Sequence, residues 1–86
     1  MQANDVRLKR VQWRCRRGTR ELDALLQGWL AARGTSLDAG QLAALDGLLD
    51  QQDPDLWDWL MGHSEAPRSE WQALIRAIRQ HAGLTP

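Results

Sequence analysis

The sequence predicts an all-α protein, a compact bundle of about five short helices. Leucine and tryptophan recur at intervals of three and four residues, which is the spacing of one helix face. Residues that favour strands are scarce, because the chain has no Phe, no Tyr and only two Val. Glycine, proline and short polar runs separate the helical stretches, so the connections are short. At 86 residues we expect one domain, 1–86, with 1–4 and 83–86 frayed.

The first two helices are predicted from apolar stripes. The first stripe is short and consists of Leu8, Val11 and Cys15. The second occupies positions i, i+3, i+4, i+7 and i+8 and consists of Leu22, Leu25, Leu26, Trp29 and Leu30. Gly34 is expected to end the second helix.

The other three helices carry start and stop signals. The third stripe consists of Leu42, Leu45, Leu48 and Leu49, with Ser36 or Asp38 near its start. In the segment D-P-D-L-W-D-W-L-M-G, Asp53 is predicted as the N-cap, Pro54 as the first helical residue and Gly62 as the end. Pro67 is expected to open the last helix. Its apolar face consists of Trp71, Leu74, Ile75 and Ile78.

Charge is unevenly distributed along the chain. The formal net charge is zero, yet residues 1–20 carry +6 and residues 21–86 carry −6. A basic segment joined to an acidic body predicts an oriented partner rather than general adhesion.

No catalytic or metal-binding constellation is visible. His63, His81 and Cys15 lie far apart in sequence, so no metal site is expected, and Cys15 falls on an apolar stripe, which favours a core position. There is no Gly-rich phosphate loop, so we expect no directly bound cofactor. We therefore predict a protein that is not an enzyme. A lone cysteine, no secretory signal and no apolar span predict a cytoplasmic protein without membrane insertion. A small core without clear heptads predicts a monomer.

The segment W-R-C-R-R-G-T-R-E-L-D, residues 13–23, concentrates four arginines around one glycine. A corner between two helices explains Gly18 and Glu21 but not the density of arginine. Arginine forks suit carboxylates and phosphates, and glycine permits close approach of a partner backbone. The corner therefore predicts a contact surface. Trp57 and Trp59 are two residues apart and cannot share a helix face; they either contact a partner or pack between helices.

The same segment resembles the R-G-x-x-E signature of the succinate dehydrogenase FAD assembly factor family. D-P-D-L-W-D-W-L-M-G-H is similar to a second segment of that family, and the likeness spans about residues 5–80. The signature falls on Arg17, Gly18 and Glu21, and Arg16 matches the preceding arginine. Thr19 stands where methionine is common, and residues 31–50 show little similarity.

The resemblance implies a five-helix fold and an assembly factor that binds the flavoprotein subunit of succinate dehydrogenase, and possibly of fumarate reductase. Such a factor promotes covalent attachment of FAD, which is held by the flavoprotein. We expect Arg17 to pair with the partner and Glu21 to accept from a donor or to orient Arg17. The predicted partner-binding residues are Trp13, Arg16, Arg17, Gly18, Glu21, Asp53, Trp57 and Trp59. Two alternatives stay open: a small nucleic-acid-binding adaptor, which the acidic body disfavours, and a toxin-neutralising adaptor.

Overall fold

A computed structural model of the chain describes residues 3–84, and it confirms the predicted all-α fold. Five α-helices form one compact body with a radius of gyration of 12.0 Å. A short 3-10 turn, Gly34–Ser36, follows the second helix. The helices are α1 (Ala3–Arg14), α2 (Arg20–Arg33), α3 (Ala39–Leu48), α4 (Asp53–Leu60) and α5 (Ser69–His81). None of these helices is both long and apolar enough to cross a membrane.

The predicted helix starts agree with the structure at α3 and are wrong at α4 and α5. Asp38 caps α3 through two reciprocal hydrogen bonds with Gln41. The backbone amide of Gln41 donates to the Asp38 carboxylate at 2.7 Å, and the backbone amide of Asp38 donates to the Gln41 side-chain oxygen at 3.0 Å. The cap of α4 is Gln52, because the Asp53 carboxylate is engaged by an arginine and does not cap. The helix α5 begins at Ser69 rather than Pro67.

Glycines end the helices as predicted, by two different geometries. Gly34 has helical angles and leads directly into the 3-10 turn. Gly62 follows α4 with a φ of +77°, and the His63 amide reaches back to the Asp58 carbonyl at 2.9 Å. Gly83 does the same after α5, with a φ of +74°. Both are left-handed stops that satisfy free carbonyls at the helix end. We expected residues 1–4 and 83–86 to fray. Of these, residues 1, 2, 85 and 86 lie outside the described residues.

The core forms where the apolar stripes of all five helices meet. Leucine dominates it, and no polar or charged side chain among the described residues is fully buried. Its fully buried members are Val11, Cys15, Leu22, Leu26, Leu42, Leu45, Leu48, Leu49, Leu56, Leu60 and Ile78. Burial of each large apolar side chain contributes roughly 1.5–3 kcal/mol. Residues 31–50, for which no role was assigned, therefore supply much of the core.

Part of the basic N-terminal segment pairs with acids of the same chain. The basic helix α1 lies along α3, and Arg14 donates to carboxylates of both Asp46 and Asp50. Arg10 pairs with Asp46 at 3.2 Å. Burial opposes the charge on Arg14, but hydrogen bonds to Asp50 and Asp46 outweigh it, so its pKa is raised. Two cations of the basic segment, Arg10 and Arg14, therefore neutralise acids of the same chain.

Candidate partner-binding surface

Arg17 lies at the corner between α1 and α2, and its guanidinium bonds to the chain that joins α3 to α4. Its Nε donates to Asp53 Oδ1 at 2.8 Å. Its terminal nitrogens donate to the carbonyls of Leu49 at 2.6 Å and Gln51 at 2.7 Å. A weaker bond reaches the Arg14 carbonyl at 3.3 Å. Only 15% of the side chain is exposed. The guanidinium is thus occupied within the molecule, and it holds the corner to the start of α4.

The backbone of the corner depends on glycine. Gly18 has a φ of +90°, in the left-handed region that residues with a Cβ avoid. A Cβ added there would meet no atom within 4 Å, so the surface above it is open. The corner is fixed on its other side by Asp23, whose carboxylate accepts from the Arg17 amide at 2.5 Å. Gly18 therefore presents accessible backbone on a held loop.

Glu21 does not orient Arg17, which corrects one expectation. The carboxylate that binds the guanidinium is that of Asp53, and Glu21 has neither an ion pair nor a hydrogen bond among the described residues. Glu21 instead lies on the exposed side of α2. It lines a cavity of about 340 Å³ together with Thr19, Leu22, Asp53, Pro54 and Trp57.

Trp13 and Arg16 form an exposed pair on the other side of Gly18. Trp13 is 71% exposed. The Arg16 guanidinium lies 5.0 Å from the Trp13 ring centroid, within the range of a cation–π interaction. Lys9 lines the same shallow depression. An aromatic ring and two cations without a carboxylate partner in the described structure make this a basic, amphipathic patch.

The structure separates the two tryptophans of α4. Trp57 lines the cavity beside Glu21. Trp59 faces α5, where its ring lies 6.2 Å from that of Trp71. Both are half-buried and pack against the core. Seven of the eight predicted residues are thus brought to one region around Gly18, and Trp59 is not.

Cys15 is buried at the end of α1, which confirms its predicted core position. Burial raises the pKa of its thiol to about 11, and the neighbouring Arg17 only partly offsets this. Since the thiolate is the reactive form, Cys15 is a poor nucleophile at neutral pH.

Sequence reasoning missed the groups that hold the corner. Asp23 could have been found, because it follows Glu21 in the first turn of α2. The carbonyls of Leu49 and Gln51 could not, since a backbone acceptor has no sequence signal. Their position depends on how α3 ends and how the chain continues to α4.

The described residues form a small helical fold that exposes a glycine corner flanked by charged and aromatic side chains. Comparison with known families is more specific. Residues 9–82 match the family described as "Flavinator of succinate dehydrogenase", and the chain belongs to that family.

Curated relatives agree with this assignment. The FAD assembly factor SdhE of Coxiella burnetii (strain RSA 493 / Nine Mile phase I) is 43% identical over 72 residues, which covers 84% of this chain and 88% of the relative. The factor of the same name from Legionella pneumophila (strain Paris) is 47% identical, with 81% and 87% covered. That of Yersinia pestis is 39% identical, with 81% and 80% covered.

Proposed function

We propose that this protein is an FAD assembly factor that binds the flavoprotein subunit of succinate dehydrogenase and promotes covalent attachment of FAD to it. The observation that carries the proposal is the family membership together with the form of the R-G-x-x-E segment. In that segment Gly18 is exposed with a left-handed φ, and Arg17 holds the corner to the start of α4 through its bond to Asp53.

The factor acts by positioning rather than by chemistry. Flavin attachment joins a histidine of the flavoprotein to its FAD, and alignment of two groups lowers the entropic part of the barrier. The FAD stays on the flavoprotein, and the factor supplies no acid, base or nucleophile. It binds the flavoprotein in the domain arrangement that brings histidine and flavin together.

Residues around Gly18 divide into contacting and supporting groups. Gly18 admits close approach of the flavoprotein backbone, while Trp13 and Arg16 contact it on one side and Glu21 and Trp57 on the other. Arg17 and Asp53 support the surface, since their side chains bond to each other and Arg17 is largely covered. This differs from the expectation that Arg17 itself pairs with the partner. Trp59 belongs to the interface only if the flavoprotein extends around α4.

The same surface suits a related flavoprotein, and we extend the proposal to fumarate reductase. The factor acts as a monomer in the cytoplasm and forms a one-to-one complex. No specific observation favours the two adaptor alternatives. Binding of nucleic acid is further disfavoured because Arg10, Arg14 and Arg17 already bind carboxylates of this chain.

In-gel flavin fluorescence tests the function. The flavoprotein subunit is expressed with and without this protein, denatured, and inspected under ultraviolet light for covalently bound flavin. We expect fluorescence to rise with wild type and to fall with Gly18→Arg or Glu21→Ala. Ala43→Arg is the control, because Ala43 is exposed on α3 and lines neither the corner nor a cavity beside it. An unchanged signal with wild type and a competent subunit would refute the proposal.

A further inference from the structure

An apolar groove runs from the Gly18 corner between α2 and α4 toward the end of α5. Two adjoining cavities of about 340 Å³ and about 500 Å³ form it, and both are lined by Glu21 and Trp57. The α2 wall consists of Glu21, Ala24, Leu25 and Gly28, which occupy positions i, i+3, i+4 and i+7 on one helix face. Met61 continues the α4 wall beyond Trp57.

Gly28 keeps this groove open. It lies in the interior of α2, where glycine is among the least favourable residues, and its φ is not left-handed. No turn or bend therefore requires glycine at this position. A Cβ added at Gly28 would meet no atom within 4 Å, so the space that a side chain would fill is empty. The absence of a side chain adds depth to the larger cavity, which Gly28 lines.

Unpaired charge in the groove is negative. Glu21 lies where the two cavities join and has no ion-pair partner among the described residues. Asp53 lines the smaller cavity, but Arg17 binds its carboxylate. His81 lines the far end of the larger cavity, toward the end of α5.

We propose that this groove is a second contact of the same interface and that it binds a segment of the flavoprotein with apolar side chains and one lysine or arginine. The apolar side chains occupy the cavities beside Leu25, Gly28 and Met61, and the basic group pairs with Glu21. The occupant is chosen by charge complementarity, since an acidic segment would be repelled by Glu21. This inference rests on the proposed function and extends its surface beyond the R-G-x-x-E segment.

Affinity for the purified flavoprotein subunit tests the groove, with steric variants and charge variants. Gly28→Leu fills the groove while improving helix propensity, so it is expected to fold and to bind at least ~10-fold more weakly. Ala24→Leu fills the same wall and is expected to act likewise. Gly28→Ala adds only one methyl group and should bind within ~3-fold of wild type. Ala43→Leu, at an exposed alanine of α3, is the matched control and should not change affinity.

Variants of Glu21 that change its charge test whether a cation of the partner binds there, which the Leu variants that fill the groove cannot test. Glu21→Lys should weaken binding more than Glu21→Gln, because it places like charges together. If both Leu variants at Gly28 and Ala24 bind as tightly as wild type, the groove is not a contact and the inference is overturned, although the assembly function stands. Equal effects of Gln and Lys at Glu21 would overturn the choice of a basic occupant. A wild-type protein that does not bind the subunit would instead refute the proposed function.

Discussion

Replacement of Arg17 by alanine tests the bracing of the corner. Arg17 donates to two backbone carbonyls, of Leu49 and Gln51, and to the carboxylate of Asp53. A buried acceptor that loses its donor costs about 1–3 kcal/mol. Here Asp53 is 33% exposed, so its ion pair contributes only about 1 kcal/mol and water can replace part of it. The free energy of unfolding should therefore fall by about 2–4 kcal/mol in Arg17→Ala.

Urea unfolding followed by tryptophan fluorescence measures this loss, because the chain has five tryptophans. An 86-residue domain has a total stability of about 4–13 kcal/mol, so the variant should remain folded in most of that range. Arg17→Lys keeps the charge but loses the planar fork, and it should lose about 1–2 kcal/mol. Arg16→Ala is the neighbouring control; its side chain is exposed, and its loss should cost less than about 0.5 kcal/mol.

The pattern across the three variants decides between bracing and surface contact. If Arg17→Ala unfolds within about 0.5 kcal/mol of wild type, the bonds to the α3–α4 connection do not stabilise the fold and the reasoning fails. If Arg17→Ala is as stable as wild type but no longer binds the flavoprotein, Arg17 contacts the partner directly.

Three further outcomes are expected. Gly18→Ala should lose about 1–2 kcal/mol in urea unfolding, since its φ is +90°, and it should weaken flavoprotein binding. Binding equal to that of wild type would contradict the corner contact. Trp13→Ala should leave the urea midpoint unchanged, because the ring is 71% exposed, and should reduce affinity; an unchanged affinity would remove Trp13 from the interface. Burial raises the pKa of the Cys15 thiol from 9.0 to about 11, so its contribution to the free energy of unfolding is complete below pH 9 and is lost as the pH rises toward 11. If the stability of Cys15→Ala falls equally over this pH range, the thiol is not the cause.

The sequence was sufficient for the helices, because their apolar stripes repeat at helical spacing. Leu42, Leu45, Leu48 and Leu49 are all buried, as their spacing predicts. The start of α4 was not predictable in the same way. Asp53 has the residue type and the position of an N-cap, but a partner 36 residues away in sequence engages its carboxylate. Tertiary contact overrides local preference there.

The location of the candidate site was predictable and its internal division was not. The motif identified Gly18 and Glu21, and both are exposed at the α1–α2 corner. Nothing in sequence distinguishes Arg16, which is exposed, from Arg17, which is largely covered. The difference arises because the carbonyls of Leu49 and Gln51, in the connection from α3 to α4, accept hydrogen bonds from Arg17. Gly28 was also missed, since an exposed helical glycine has no signal until the neighbouring cavity is seen.

Differential hydrogen exchange of the factor, alone and with the flavoprotein subunit, tests the central claim most directly. The claim is that the partner binds around Gly18 and the start of α4. Three segments outside the α-helices serve as reporters: residues 15–19, 49–52 and 63–68. We predict slower exchange at 15–19 on binding, with a smaller effect at 49–52 and none at 63–68. Protection confined to 63–68, with 15–19 unchanged, would contradict the account.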